Sequence, residues 1–199
     1  MVFLIATQNK YKKKEFHRIL APLGIEVKTA GELGIELPDV EETGKTFQEN
    51  ALLKAESGCE ISGYPTLADD SGLCVDALNG APGIYSARYS GMDGGHGTDE
   101  ANNRKLIKEL EGVPLEERTA HYACAVAAVF PDGRKHVTLG TCQGIIGFEE
   151  AGSEGFGYDP LFLVGDKTFA EVAPEIKDSQ SHRSRALLEM YEYLEGELI

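Results

Sequence analysis

The stretch TLADDSGLCVDALNGAPGIYSAR, from Thr66 to Arg88, decides how the chain is read. A short apolar run, Leu67 and Ala68, delivers two adjacent carboxylates, Asp69 and Asp70, into Ser71 and Gly72. A second strand is expected from Leu73 to Asp76, then a turn at Gly80, Pro82 and Gly83, before the stretch closes on Arg88. A carboxylate is costly to take out of water, so a pair at a strand end needs solvent or a cation. Taken alone, Asp69 and Asp70 fit a solvated turn. Successive strand residues also point to opposite faces, so the two need not share one task.

Upstream, Val2 to Ala6 is a continuous apolar run, the pattern of a strand buried on both faces. Thr7, Gln8 and Asn9 interrupt it, and a helix follows with Phe16, Ile19, Leu20 and Leu23 on one face. The first turn of that helix carries Lys10, Lys12, Lys13 and Lys14, although a helix N-terminus favours negative charge. Strand, polar loop and helix start together suit an anion site; a solvated lysine cluster is the plainer reading. Ile25 to Lys28 is a short strand, and a polar stretch with Asp39, Glu41 and Glu42 leads to the capping box Thr46-Phe47-Gln48-Glu49. A helix is expected from there to about Gly58, burying Phe47, Ala51, Ala55 and Cys59.

Downstream, Gly91 to Gly97 reads as a surface loop, and Thr98 caps a helix to Leu110 with Asp99 and Glu100 in its first turn. Ala120 to Phe130 reads as a central strand that turns at Pro131 to Arg134 into a second strand, Lys135 to Cys142, continued by Ile145 to Phe148. Glycines around Phe156, Tyr158 and Asp159 let backbone approach a ligand; a plain irregular loop fits as well. The last helix, about Ser181 to Leu198, buries Leu187, Tyr191, Leu194 and Leu198 and again opens on basic residues, His182, Arg183 and Arg185, shortly after Lys177. Alternating strands and helices followed by a hairpin predict an α/β protein with a mixed central sheet flanked by helices, in a single domain over 1–199.

Composition narrows the function. At 199 residues, with 42% hydrophobic and 26% charged residues, the chain can bury a core of its own. A net charge of −14 argues against a long nucleic-acid backbone as partner, but not against a small polyanion in a local basic pocket bridged by a divalent cation. Cys59, Cys74, Cys124 and Cys142 form no Cys-x-x-Cys pair, so buried free thiols are expected rather than zinc ligands or disulfides. With no apolar run of about 18 residues and no leader pattern, a soluble cytoplasmic protein without membrane partners is expected.

Basic groups in two places and carboxylates in two others are the parts for metal-assisted phosphoryl chemistry, since Mg²⁺ takes a few carboxylates together with substrate phosphate oxygens. The Gly-x-x-x-x-Gly-Lys-Ser/Thr loop and Gly-x-Ser-x-Gly are both absent. Five motifs then carry a resemblance over nearly the whole chain. They are ATQNKYK at 6–12, EETGKTFQENA at 41–51, ADDSGL at 68–73 leading into GAPGIYSAR at 80–88, GFGYDP at 155–160, and SHR at 181–183. In this order they resemble the inosine triphosphate pyrophosphatase family, which hydrolyses deaminated purine nucleoside triphosphates.

The resemblance implies a Mg²⁺-dependent homodimer of mixed α/β fold, with two lobes and a substrate cleft between them. It also implies roles residue by residue. The loop Thr7, Gln8, Asn9, Lys10, Tyr11 and Lys12 would grip the triphosphate, with Lys12 also catalytic. Glu41 and Asp70 would bind the metal, supported by Asp69, and Asp70 would act as general base. Ser71 would contact substrate, and Phe156, Gly157, Tyr158 and Asp159, with Lys177, His182 and Arg183, would form the nucleotide-binding end. ITP, dITP and XTP are the implied substrates. Two alternatives stay open: a Maf-like pyrophosphatase of pyrimidine or modified nucleotides, and a nucleotide-binding sensor that does not hydrolyse. The glycine-rich insert around Gly94 to Gly97 is longer than the family usually shows.

Overall fold

The computed structural model describes residues 2–91 and 97–198, so most of the Gly94 to Gly97 insert lies outside the described residues. The strands are β1 (Val2–Ile5), β2 (Glu26–Thr29), β3 (Thr66–Val75), β4 (Thr119–Val129), β5 (Lys135–Ile146), β6 (Phe162–Val164) and β7 (Lys167–Thr168). The helices are α1 (Lys10–Leu20), α2 (Phe47–Ser62), α3 (Asp99–Glu109), α4 (Pro174–Asp178) and α5 (His182–Leu198). The seven strands form one sheet in the order β2-β1-β3-β4-β5-β6-β7. It is mixed, as expected: β1 runs parallel to β2 and β3, whereas β6 is antiparallel to β5 and β7.

The decisive stretch departs from expectation in one respect. Asp69 and Asp70 do not end a short strand; β3 runs unbroken from Thr66 to Val75, and both carboxylates lie buried inside it. A solvated turn is thereby excluded. The expected break at Ser71-Gly72 fails because the counter-charges that allow these carboxylates to stay in a buried strand come from distant segments.

Two compact units divide the chain. The first comprises residues 1–70, 124–140 and 182–199, and the second 71–123 and 141–181. In the first unit, alternation along the strands separates two apolar layers. Leu67, Cys124, Val126 and Ala128 pack with Phe3, Phe16, Leu20, Leu187 and Leu194, while Ala68, Ala125, Ala127 and Val129 pack with Ala51, Ala55 and Cys59 of α2. Fully buried Phe16, Leu20 and Leu67 contribute roughly 1.5–3 kcal/mol each through apolar burial. Thr46 caps α2 as predicted, its hydroxyl accepting the Glu49 N–H at 3.1 Å, but the helix runs on to Ser62, where Gly63 closes it.

The start of α5 lies against β5 at Gly140. A Cβ there would sit 2.1 Å from the His182 carbonyl oxygen and 2.5 Å from the Ala186 nitrogen, so only glycine permits this approach. Thr138 adds a hydroxyl hydrogen bond to the Ala186 carbonyl at 2.8 Å. The second unit has its own core, built on Leu73, Val75, Leu106, Tyr122, Phe162 and Phe169.

Candidate active site

The period-2 geometry of β3 that separates Leu67 from Ala68 also separates the two aspartates. Asp69 joins the α1 and α5 side, and Asp70 joins the α2 side. On the first side, Asp69 Oδ2 accepts hydrogen bonds from Arg183 Nη2 at 3.0 Å and Nε at 3.3 Å, and Lys12 Nζ lies 2.9 Å away. The Arg183 guanidinium also pairs with Glu15 through Nη1. Arg183 and Asp69 side chains are both 1% exposed, so the pair is shut off from bulk solvent. Burial alone would raise the Asp69 carboxyl, but Lys12 and Arg183, and then Lys54, outweigh it and hold the group well below the usual carboxylate range. Asp69 is therefore a fixed anion that anchors two cations.

Asp70 has different surroundings. Its Oδ2 accepts from Asn50 Nδ2 at 3.2 Å, and its Oδ1 from Lys54 Nζ at 3.2 Å. The Gly44 N–H donates to Asn50 Oδ1 at 2.8 Å, which turns the amide so that its NH₂ faces Asp70. Lys54 Nζ also reaches Glu42 Oε1 at 2.9 Å. Here burial wins: it pushes the Asp70 carboxyl up, against the pull of Lys54 and Lys12, with Glu42 adding to the rise. Burial would lower Lys54, but Asp70, Asp69 and Glu42 together hold it above its ordinary value. Glu41, the expected companion of Asp70, is exposed, and its neighbour Glu42 is the glutamate that meets the Lys54 ammonium.

The N-terminal loop takes the expected place at the start of α1. Asn9 is the helix cap, its Oδ1 accepting the Tyr11 N–H at 2.9 Å and the Lys12 N–H at 3.2 Å, and the Thr7 hydroxyl accepts the Asn9 N–H at 3.2 Å. Gln8 donates to Asp39 at 3.1 Å, and Lys10 lies 5.2 Å from the centre of the Tyr11 ring. Gln8, Asn9, Lys10 and Tyr11 are exposed and Thr7 and Lys12 half-buried, so a polar, solvent-facing loop surrounds one lysine tied to Asp69.

The second unit holds the other group of expected residues. Asp159 is buried, and its Oδ2 accepts the Phe156 N–H at 3.0 Å and pairs with Lys177 Nζ at 2.7 Å. Its Oδ1 accepts the Tyr122 hydroxyl at 3.3 Å. Gly155 has φ +75°, and a Cβ there would lie 2.1 Å from Asp159 Oδ2, so the loop wraps closely on the carboxylate it is built around. Lys177 is 4.9 Å from the Phe156 ring centre, and Tyr158 is buried with its hydroxyl donating to the Ser86 carbonyl at 2.8 Å. Ser71 is half-buried in β3. His182 and Arg183, expected with this group, open α5 in the first unit, where Arg183 joins Asp69 and Glu15.

The model of the Ham1 family matches residues 3–193 of this sequence. The chain belongs to the Ham1 family. It is 49% identical over 193 residues to a dITP/XTP pyrophosphatase of Geobacter sulfurreducens, covering 96% of this chain and 95% of that one. Among solved structures, the Ham1 protein of Staphylococcus aureus is similar with a TM-score of 0.84 at 42% identity, covering 99% of this chain and 100% of that one. A HAM1 protein from Coxiella burnetii gives a TM-score of 0.86 at 37% identity, covering 98% and 99%.

Three residues of this Ham1 chain that sequence reasoning did not single out belong to the charged cluster. Asn50 and Lys54 lie on α2, three residues after Phe47 and Ala51 respectively, and Asn50 is fully buried, which calls for a polar partner. Glu15 precedes Phe16 on α1 and is itself buried at 4%. A buried acid on an apolar helix face requires a cation, and only the fold shows that Arg183 supplies it. As for a metal, Glu42 and Asp70 each place a carboxylate oxygen on one ammonium. Two hard oxygen donors converging on one cation fit Mg²⁺, which binds through one or two carboxylates and keeps several waters. No cluster of three or more metal-ligating side chains occurs among the described residues.

Proposed function

We propose that the protein hydrolyses non-standard purine nucleoside triphosphates, ITP, dITP and XTP, to the nucleoside monophosphate and pyrophosphate, with Mg²⁺ as cofactor. The observation that carries this is the division of labour across β3: one buried aspartate locked between Arg183 and Lys12, its neighbour held on the opposite side by Asn50 and Lys54 of α2. A carboxylate pushed up by burial is a stronger proton acceptor once ionised, so Asp70 takes the proton of the attacking water. Asp69 holds Lys12 in place, and Lys12 meets the triphosphate with the exposed polar loop around it. Glu42 with Asp70 would hold the Mg²⁺, which supplies charge neutralisation on the phosphates and a more acidic water.

Membership of the Ham1 family and the dITP/XTP activity named for a 49% identical relative support the substrate class. Phe156 stacks on the base, worth roughly 1–3 kcal/mol without choosing among purines. Lys177, held by Asp159, supplies a donor for the carbonyl that hypoxanthine and xanthine present and adenine lacks. Adenine offers this ammonium no carbonyl to meet, which discriminates against it. In the same reading the enzyme is a cytoplasmic homodimer that clears the nucleotide pool.

The test is pyrophosphate release from ITP, dITP, XTP, ATP, dTTP and UTP, with Mg²⁺ and with chelator. Purine products only with Mg²⁺ are expected, with ATP turned over poorly. A preference for dTTP or UTP would overturn the assignment.

A further inference from the structure

We infer that helix α3 sets the position of the base-reading loop, through Asp99 and Asn103, which together hold both backbone polar groups of Gly157. This rests on the reading of Phe156 to Asp159 as the base end of the site. Asp99 and Asn103 are one helical turn apart and so share a face of α3. Asp99 Oδ2 accepts the Gly157 N–H at 2.8 Å, and Asn103 Nδ2 donates to the Gly157 carbonyl at 3.2 Å. Together with the Phe156 N–H held by Asp159, three of the four backbone polar groups of Phe156 and Gly157 are committed to side chains.

The arrangement has a definite polarity. Asn103 is 2% exposed, and its Oδ1 is buried without a hydrogen-bond partner among the described residues. Such a group costs stability, and turning the amide over would not relieve it, because Oδ1 would then face the Gly157 carbonyl oxygen. The amide is therefore fixed as a donor toward the loop. Its neighbour Asn102 faces elsewhere in the same unit: Asn102 Oδ1 accepts the Ser90 N–H at 2.8 Å, and Nδ2 donates to the Ser86 carbonyl at 3.3 Å. Two successive asparagines thus tie α3 to two separate segments, the 3-10 stretch Gly83–Gly91 and the Gly157 loop, and Asp99 adds the second contact to Gly157.

Asp99 and Asn103 touch the loop's backbone, so they are positioning residues. Their effect falls on base recognition and leaves the triphosphate end unchanged. The test compares Asn103→Asp, Asp99→Ala, Asp99→Asn and Phe156→Ala by steady-state kinetics with ITP and by the inhibition constant of inorganic tripolyphosphate, which lacks a base. Asn103→Asp keeps the side chain's size but sets an oxygen against the Gly157 carbonyl. It is expected to raise KM for ITP about tenfold, the scale of one lost buried hydrogen bond, with kcat changed less than about twofold and tripolyphosphate inhibition unaltered. Asp99→Ala is expected to raise KM several-fold, and Asp99→Asn, which keeps an oxygen acceptor, to recover most of that loss.

Equal effects of Asp99→Ala and Asp99→Asn would overturn the inference, and so would an Asn103→Asp variant that weakens tripolyphosphate inhibition as much as it raises KM. If Phe156→Ala raises KM for ITP while neither Asn103→Asp nor Asp99→Ala does, the base-end reading stands and the role of α3 falls. If Phe156→Ala leaves KM unchanged, the base-end reading itself is refuted.

Discussion

Replacing Arg183 by methionine tests the charge architecture of the first unit most directly. The native cluster balances two cations, Arg183 and Lys12, against two anions, Asp69 and Glu15. Methionine fills similar space and leaves one cation for two buried carboxylates. Asp69 and Glu15, 2% and 4% exposed, both lose the guanidinium, and Lys12 remains beside Asp69. Removing one partner of a buried ion pair costs roughly 3–5 kcal/mol. For a chain of this length that is a drop in Tm of roughly 6–20 °C. The pH dependence follows from the depressed Asp69 carboxyl. A folded value below the unfolded one stabilises at pH above the unfolded value, and that stability is lost as pH falls through the folded value. The deficit of Arg183→Met is thus full at pH 7 and narrows from about pH 5 downward. Thermal unfolding at pH 7.5 and pH 4, alongside ITP turnover, checks this. A variant with near-native Tm at pH 7.5 but a large rise in KM for ITP would refute the reasoning and return Arg183 to direct nucleotide contact.

Asp70→Asn is expected to lower hydrolysis by at least about 10²–10⁴-fold, the scale of general-base catalysis; near-normal turnover with Mg²⁺ would remove Asp70 from that role. The same change should leave Tm equal or slightly raised, because an acid whose folded value is raised destabilises the fold when ionised, and Asn is neutral. Lys54→Met takes away the ammonium that opposes the rise of Asp70, so the acidic limb of the pH–rate profile should move to higher pH; an unmoved limb would mean that Lys54 does not tune the base. Gly140→Ala forces a Cβ against the backbone of α5 and should cost about 1–3 kcal/mol in thermal unfolding, whereas a native Tm would mean that α5 moves away at no cost.

Much of the first unit was legible because its signals are local. The apolar run at Val2 to Ala6, the Thr46 cap and the basic start of the last helix all appear where the residues placed them. Alternation along β3 already implied that Asp69 and Asp70 serve different sides, and their separate partners bear this out. What stayed hidden was set by distant groups. An Asp-Asp-Ser-Gly sequence reads as a turn until Arg183, 114 residues away, supplies the charge that lets it remain strand. Strands β6 and β7 have three and two residues, too short for any periodicity to mark, and α4 has five. That Glu42 rather than its neighbour Glu41 meets Lys54 was not legible, because no pattern in a polar segment without regular structure fixes which side chain turns inward.

The first unit is assembled from three stretches of chain, the last beginning at residue 182. This has a consequence for the order of synthesis. As the chain leaves the ribosome, Lys12 and Asp69 emerge well before the guanidinium that completes their cluster, which follows Asp69 by 114 residues. Until then Glu15 and Asp69 carry an excess of negative charge that opposes closing the apolar layer over them, and the final helix is also missing from that layer. The cluster around Asp69 is therefore brought into charge balance only once the start of α5 has been made.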